Sequence, residues 1–296
     1  MKIGVVFPQT EIGTDPTAIT DYVQACEGMG YDHLIAFDHV MGANPGSRLG
    51  WSGTYSHVDM FHEPFVLFGF LSGITKRIKF VTAVIILPQR QSALVAKQAA
   101  TLDVLSEGRL RLGIGIGWND VEYEALGENF HNRGIRSEEQ IEVMRALWTQ
   151  DLVTYDGRWH KIVDAGINPL PVQRPIPIWI GGGADVVLRR IAKIGDGWFP
   201  QIRPDAEGQA KIEKLWQYAR SEGRETSPIG IESWISIRNK NGSIKDPAEW
   251  RNEIISWERV GATHISVNTM GAGLDSPQKH IEVVASFKNV ADQIIS

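Results

Sequence analysis

Short apolar runs alternate with longer amphipathic segments along the chain, a pattern typical of repeated strand-helix units around a parallel sheet. The apolar runs predict strands at residues 2–7, 32–37, 78–85, 109–116, 176–180, 197–200, 228–235 and 263–267. The amphipathic segments predict helices at residues 16–29, 63–75, 92–105, 134–149, 185–194, 206–222, 247–260 and 277–286. Eight strands that each precede a helix predict an α/β fold, the TIM (β/α)8 barrel.

Three of the predicted connections are too long to be simple turns. They span residues 38–62 after the second strand, 118–133 after the fourth, and 151–177 before the fifth, where Asp156-Gly157 predicts a hairpin. The first two connections lie at the C-terminal ends of strands, the side of a TIM barrel that carries the active site. Nothing in the sequence marks a linker, so residues 1–296 are predicted to form one domain.

The composition and charge of the chain exclude several classes of protein function. With 43% hydrophobic and 22% charged residues, the chain resembles a soluble globular protein with a sizeable core. A formal charge of −5 disfavours a nucleic-acid or anionic-membrane surface, which would need a basic face, and favours small-molecule chemistry. The single cysteine, Cys26, excludes an internal disulfide. The chain starts without a signal-peptide pattern and has no membrane-length apolar run, so we expect a cytoplasmic protein.

Two glycine-rich strand ends are the most informative stretches. The segment R-L-R-L-G-I-G-I-G-W-N, residues 109–119, carries glycine at every second position near its end. We interpret these glycines as a place where the backbone approaches a flat ligand closely. The second stretch, W-I-G-G-G, runs through Gly181, Gly182 and Gly183 into a predicted helix, and the exposed amides of such a turn favour a phosphate group.

The second predicted strand ends in F-D-H, which brings Asp38 and His39 to the rim of the barrel. A histidine that titrates near neutral pH can exchange a proton beside a cofactor ring, while a carboxylate fixes its tautomer. We therefore nominate this pair for catalysis. The alternative is that Asp38 caps the next segment and His39 is a satisfied rim residue.

The connection after this strand holds His57, Asp59 and His62 within six residues, which suggests a metal site. Their spacing is poor, and the first predicted strand ends in F-P-Q where a metal-dependent hydrolase barrel would present His-x-His. We therefore expect no metal. Trp51, Tyr55 and His57 are assigned instead to the substrate-side wall of a lid, where amphipathic aromatic residues shape an apolar pocket.

These stretches, together with A-K-Q-A-A-T-L-D-V-L-S-E-G-R before the glycine strand and G-D-G-W after the glycine turn, resemble the bacterial luciferase-like superfamily of flavin and deazaflavin oxidoreductases. The similarity covers residues 3 to about 200. It implies that Asp38 and His39 face the cofactor ring, and such a pair is closest to the deazaflavin branch. It also implies a non-proline cis peptide at Ala83-Val84 or its neighbour, which supports the ring from behind.

The same resemblance assigns Gly117, Trp118 and Asn119 to the cofactor edge, Glu122 to an acidic position of the family, and Arg133 to the cofactor phosphate. The alternative for the arginine is a surface salt-bridge cluster with nearby glutamates. Trp118 departs from the pattern of the deazaflavin-dependent sugar-phosphate dehydrogenases, in which an acidic glutamate directly follows the last glycine. This departure leaves proton transfer to the histidine.

We therefore expect a luciferase-like oxidoreductase that uses coenzyme F420, a deazaflavin, to transfer a hydride to or from a small organic substrate. The oligoglutamate tail of that coenzyme requires cations, and Arg48, Arg90 and Arg203 are the loop arginines expected near the barrel mouth. The alternative is an FMN-dependent monooxygenase, served by a separate flavin reductase. A flavin-binding protein without catalysis and a metal-dependent hydrolase are less favoured. The ten tryptophans are consistent with an apolar homodimer face.

Overall fold

The computed structural model describes residues 1–48, 50–225, 228–239 and 242–295. The strands are β1 (Lys2–Val6), β2 (His33–Ala36), β3 (Lys79–Thr82), β4 (Ile85–Ile86), β5 (Leu110–Gly115), β6 (Val153–Asp156), β7 (Lys161–Ala165), β8 (Ile178–Gly181), β9 (Gly197–Phe199), β10 (Gly230–Ser236) and β11 (His264–Asn268). The α-helices are α1 (Pro16–Gly28), α2 (Pro64–Ile74), α3 (Ser92–Leu105), α4 (Asp120–Ala125), α5 (Arg133–Thr149), α6 (Asp185–Ile194), α7 (Ala206–Ser221), α8 (Pro247–Arg259) and α9 (Pro277–Ile295).

Parallel pairing closes the sheet into a ring. Its order is β3-β2-β1-β11-β10-β9-β8-β5-β4, and a further pairing of β3 with β5 joins the two ends. Ala83 and Val84 interrupt the third strand, so that β3 and β4 both pair with β5. β3 and β4 together occupy one strand position of the barrel. The predicted eight-stranded TIM barrel is therefore confirmed.

The predicted elements agree with the observed ones to within two residues at their ends, with three exceptions. The third strand, predicted as continuous over 78–85, is split. The last helix continues to Ile295 because Phe287 and Ala291 extend its buried stripe beyond the predicted end at 286. The short helix α4 was not predicted. The hairpin in the long connection is formed by β6 and β7. In the described part of the chain, no helix has the length and apolar character to cross a membrane.

The alternate glycines of β5 make room for the protein itself. A side chain at Gly113 would overlap the carbonyl oxygen of Thr82, and a Cβ at Gly115 would lie 2.5 Å from Cγ2 of Val84. One at Gly117 would meet β4 at 2.7 Å. The fold itself therefore requires these glycines, because the interrupted third strand packs closely beside β5; that the backbone also approaches a flat ligand here stays a prediction.

A charged network fills the barrel interior near the N-terminal ends of its strands. Glu232 is fully buried, forms an ion pair with Arg111 and accepts a 2.5 Å hydrogen bond from Nε2 of His33. Burial alone would raise the pKa of the Glu232 carboxyl, but Arg111 and His33 hold that pKa well below its ordinary range. The Arg111 guanidinium also lies 4.1 Å from the ring centroid of Trp179. The N-terminal end of the barrel is therefore filled by side chains, and the C-terminal end is where an active site can lie.

Candidate active site

His39 and Glu122 meet at the C-terminal mouth of the barrel. His39 follows β2, and Glu122 lies in α4, with 3.1 Å between Nδ1 of the histidine and Oε1 of the carboxylate. The same carboxylate oxygen accepts the backbone N–H groups of Val40 at 3.1 Å and Met41 at 3.3 Å, and Oε2 accepts Nε2 of Gln89 at 2.9 Å. The Glu122 side chain is 1% exposed, so these bonds are shielded from water.

These contacts set the charge of the pair. Burial raises the pKa of the Glu122 carboxyl, but hydrogen bonds from His39 and Gln89 outweigh it and leave that pKa below its ordinary value. An ionised carboxylate only accepts hydrogen bonds, so Nδ1 of His39 is the donor. The other ring nitrogen, Nε2, is therefore the atom that can exchange a proton with a ligand.

Asp38 does not orient the histidine, contrary to expectation. Its side chain is buried, with Oδ1 2.8 Å from a guanidinium nitrogen of Arg90 and Oδ2 accepting the N–H of Ile86 at 3.1 Å. Burial raises the pKa of Asp38, and Arg90 opposes the rise. Arg90 also binds Glu63 at 3.0 Å. Both terminal nitrogens of the Arg90 guanidinium are therefore paired with carboxylates, which makes Arg90 a weaker candidate than expected for binding a coenzyme tail.

Aromatic side chains surround the His39 imidazole. Ring centroids lie 4.8 Å away for Phe61, 5.1 Å for Tyr55 and 5.7 Å for Trp118, and Trp51 packs on Trp118 at 5.8 Å. The lid after β2 and the connection after β5 are thus brought together around the histidine. The arrangement fits the predicted wall for an organic substrate.

His57, the third residue assigned to the substrate-side wall of the lid, is exposed. It lines a cavity of about 170 Å³ that is also lined by His39 and Tyr55. Asp59 in the same segment accepts the backbone N–H of Ser56 at 2.7 Å. Among the described residues, no group of three or more histidine, cysteine, aspartate or glutamate side chains is placed to hold a metal ion.

The side chain of Asn119 is used by the protein. It is buried, accepts the N–H of Val121 at 3.2 Å as the cap of α4, and donates to the carbonyl of Met41 at 3.2 Å. These bonds give it a positioning role for the lid and for α4, and its predicted contact with the cofactor stays a prediction. Trp118, by contrast, is 42% exposed and remains a candidate contact.

An apolar surface around Ala83 and Val84, here called the floor, is a candidate support for a flat ring. The Ala83-Val84 peptide is cis, at the position that the resemblance implied. The Val84 side chain lies over the backbones of β5 and β8, and the half-buried side chains of Phe37, Trp234 and Met270 surround the same layer. This surface suits the face of an isoalloxazine or deazaflavin ring.

The glycine turn after β8 has free space beside its backbone at Gly183. Gly182 adopts a φ of +129°, its N–H donates to the carbonyl of Phe199, and its own carbonyl accepts Nε1 of Trp198. At Gly183 a Cβ would come no closer than 3.6 Å to other atoms. The first amides of α6 have no acceptor within their own helix, so this turn fits a phosphate group.

Arg133, the other predicted phosphate ligand, begins α5. One of its guanidinium nitrogens donates to the carbonyl of Phe130 at 2.7 Å, and the guanidinium lies 3.6 Å from the Phe130 ring centroid. Both interpretations of Arg133, as a phosphate ligand and as part of a surface salt-bridge cluster, left out its contact with Phe130, on whose ring the guanidinium stacks.

Sequence analysis did not identify two glutamines, Gln9 and Gln89, that hold residues of the candidate site in place. Gln9, three residues after β1, is fully buried and accepts the N–H of Phe37 at 2.6 Å, which fixes the start of the lid. Gln89 holds the second oxygen of Glu122. The sequence signal for each was an amide residue shortly after a predicted strand, two positions after it for Gln9 and four for Gln89.

The sequence profile of the luciferase-like monooxygenase family matches residues 1–259. The chain therefore belongs to this family, and the resemblance seen in its motifs is confirmed. It is therefore an oxidoreductase of the type that depends on either a flavin or a deazaflavin.

Three relatives show the range of this family. An uncharacterized protein of Mycobacterium tuberculosis is 36% identical over 76% of this chain and 79% of its own length. An F420-dependent glucose-6-phosphate dehydrogenase of Segniliparus rotundus is 29% identical over 80% of this chain and 67% of its own. An FMNH2-dependent dimethylsulfone monooxygenase of Pseudomonas putida is 30% identical over 65% of this chain and 53% of its own.

The fold is shared with solved structures. The crystal structure of a monooxygenase from Streptomyces bottropensis superposes with a TM-score of 0.77 at 18% identity, covering 97% of this chain and 98% of the other. This likeness shows that the two proteins share the same fold.

Proposed function

We propose that this protein is a coenzyme F420-dependent oxidoreductase in which His39, held by Glu122, exchanges the proton that accompanies hydride transfer. The observation that carries the proposal is the 3.1 Å hydrogen bond between the buried Glu122 carboxylate and Nδ1 of His39 at the barrel mouth. The deazaflavin, when bound, accepts or donates the hydride at its ring. The Segniliparus relative, named as F420-dependent, supports this choice of cofactor.

The role of His39 follows from the proton that must be transferred together with the hydride. When an alcohol is oxidised to a carbonyl compound, its C–H bond yields a hydride and its O–H bond yields a proton. Nε2 of His39 accepts that proton, and the Glu122 carboxylate stabilises the imidazolium that forms. In the reverse direction the imidazolium returns the proton to the carbonyl oxygen. The rings of Tyr55, Phe61 and Trp118 exclude water from this exchange.

The residues that would hold the cofactor lie at the apolar surface around Val84 and at the glycine turn that ends in Gly183. Val84 and its half-buried neighbours support the ring, and Gly183 with the start of α6 takes the phosphate. Arg203 is exposed and lines a cavity of about 400 Å³ that also includes Gln201, the residue nearest to Gly183. It is the candidate cation for the anionic coenzyme tail.

An FMN-dependent monooxygenase is the second candidate. Trp118 stands where the deazaflavin sugar-phosphate dehydrogenases place a glutamate, and the Pseudomonas relative is named as FMNH2-dependent. In that case a separate flavin reductase would supply the reduced cofactor.

Titration with each cofactor separates these candidates. We expect F420 to bind and FMN to bind more weakly, and we expect Arg203→Ala to weaken F420 binding severalfold with no effect on FMN, which ends at its phosphate. Arg158→Ala, in the hairpin turn, is the matched control. Tight FMN binding without measurable F420 binding, together with oxygen-dependent turnover of the reduced flavin, would overturn the proposal in favour of the monooxygenase.

A further inference from the structure

Ser92, His160 and Glu139 form a hydrogen-bonded chain where the hairpin of β6 and β7 meets α3 and α5. Oγ of Ser92 lies 2.7 Å from Nε2 of His160, and Nδ1 of the same imidazole lies 2.8 Å from Oε1 of Glu139. The serine is the first residue of α3, the histidine directly precedes β7, and the glutamate lies in α5. Three separate elements thus bring a hydroxyl, an imidazole and a carboxylate together in the order that nucleophilic catalysis uses.

The hydrogen bonds around Glu139 fix the direction of this chain. Its carboxylate accepts the backbone N–H group of Arg158 at 2.9 Å and those of Trp159 and His160 at 2.8 Å each. Burial raises the pKa of this carboxyl, but the amides and the imidazole outweigh it and hold that pKa below its ordinary value. An ionised carboxylate only accepts hydrogen bonds, so Nδ1 of His160 is the donor. Nε2 therefore carries a lone pair, and the Ser92 hydroxyl donates to it.

A cavity of about 390 Å³ is lined by both the serine and the histidine. This volume is within the range of sites for small molecules. Ser92 is 3% exposed, so the cavity is the route by which a ligand reaches its hydroxyl. The half-buried side chains of Trp159 and Ile162 add apolar surface, and Lys161 is an exposed cation in the same lining. Among the described residues, none lines both this cavity and the one beside His39.

The start of α3 adds hydrogen-bond donors beside the serine. The first amides of a helix have no acceptor within their own helix. Gln91, the residue that precedes α3, makes no side-chain hydrogen bond to them in the described part of the chain. Ala93 follows the serine, lines the same cavity and is exposed. Its N–H group, at the positive end of the helix dipole, is available to a negative oxygen that forms next to the Ser92 hydroxyl.

We propose that this chain has a second activity, the hydrolysis of short-chain carboxylic esters, with Ser92 as the nucleophile and His160 as its general base. Oγ of the serine bonds to the ester carbonyl carbon, and its proton passes to Nε2 of the histidine. The C–O bond to the alcohol then breaks, and the leaving alcohol takes that proton. Water attacks the acyl-serine in the same way, which releases the carboxylic acid and restores the serine. Glu139 is a positioning residue that acts through the histidine and stabilises the imidazolium.

Covalent labelling of the full chain tests the nucleophile. We expect diisopropyl fluorophosphate to add a single diisopropylphosphoryl group, seen by intact mass and mapped to Ser92. p-Nitrophenyl acetate should give a burst of p-nitrophenolate followed by slower turnover. Ser92→Ala should abolish the label and lower kcat/KM for the ester at least about a hundredfold, because the nucleophile is lost. Ser137→Ala is the matched control, a buried serine whose hydroxyl donates to the carbonyl of Gly134, and it should react like the wild type.

Variants of the other two residues separate the chemistry from folding. The His160→Gln amide can still donate to Glu139 but supplies no base, so labelling should slow at least about a hundredfold with little change in melting temperature. Glu139→Gln should lower kcat for the ester about tenfold and leave KM unchanged, whereas a role limited to holding the hairpin would not produce this split.

The same preparations show whether this activity is separate from the oxidoreductase site. Ser92→Ala should bind the deazaflavin or flavin cofactor as tightly as the wild type. A wild type that is not labelled at Ser92 would overturn the inference. Ester hydrolysis that is equally fast in Ser92→Ala would also overturn it, and the three residues would then serve to anchor the hairpin.

Discussion

Nδ1 of His39 lies 3.1 Å from a carboxylate oxygen of Glu122, although the two residues are 83 positions apart in the chain. The contact joins the loop after β2 to the helix that follows β5, and the glutamate also binds the two backbone amides after the histidine. One buried carboxylate thus fixes both the tautomer of the imidazole and the path of the lid.

Replacing His39 with alanine should lower turnover about a hundredfold or more and leave cofactor affinity nearly unchanged, since a positioned acid or base contributes on this scale. Steady-state kinetics and cofactor titration on the same preparation measure the two effects. The His131→Ala variant, at an exposed position outside the lid, is the control for loss of a histidine. Full turnover in His39→Ala would remove the residue from the mechanism.

Glu122→Gln should lower turnover about tenfold with little change in cofactor affinity. The amide keeps the size of the side chain but removes the negative charge that stabilises the imidazolium, and its NH2 group cannot accept the lid amides. Glu124→Gln, two residues away and exposed, is the matched control. Equal kcat values for the two variants would show that the buried carboxylate does not assist the histidine.

Gly183→Val should weaken cofactor binding at least about tenfold while the melting temperature stays near that of the wild type. The position has space for a side chain, and that space is where a phosphate would lie against the start of α6. The neighbouring Gly182 is unsuitable for this test, because its φ of +129° makes any side chain strained. If calorimetry gave equal affinities for wild type and Gly183→Val, the phosphate would have to bind elsewhere, with Arg133 the next place to test.

Stability should decrease as the pH falls below neutrality, partly because of His264. Burial and the nearby Arg111 lower the pKa of His264 to about 3, whereas an unfolded histidine has a pKa of about 6.5. Between these values the unfolded chain binds a proton that the folded protein does not. The free energy of unfolding therefore falls with decreasing pH, by up to about 1.4 kcal/mol per pH unit.

Urea unfolding at pH 7 and pH 5 measures this effect. The His264→Gln variant should show a smaller loss of stability between the two pH values than the wild type, and His131→Gln, at an exposed site, should match the wild type. Parallel losses in all three proteins would show that His264 is not the group responsible.

The barrel could be predicted from the sequence because each apolar run and each amphipathic segment carries its own periodicity. The interruption between β3 and β4 was implied only by the family resemblance, at Ala83-Val84, since the predicted strand 78–85 contains no glycine or proline that would mark a break. Helix α4 was hidden by its length of six residues, too short to show a helical period.

The site was predicted in part. His39, Tyr55 and Trp118 come together as expected, but the partner of the histidine was wrongly assigned to its neighbour Asp38. Adjacent residues in an extended segment point in opposite directions, so Asp38 turns to Arg90 while His39 turns to Glu122. Only the tertiary structure could show that a glutamate 83 positions away fills that place.

The close packing of the interrupted third strand beside β5 and β8 limits which substitutions this protein can accept. The floor residue Val84 fits against Gly115 and Gly181, so its size is set by two other strands as well as by any ligand. A bulkier residue at either glycine would be accepted only with a smaller one at position 84. Natural variation and directed evolution should therefore alter these three positions together, and libraries that randomise the floor residue alone will return few folded proteins.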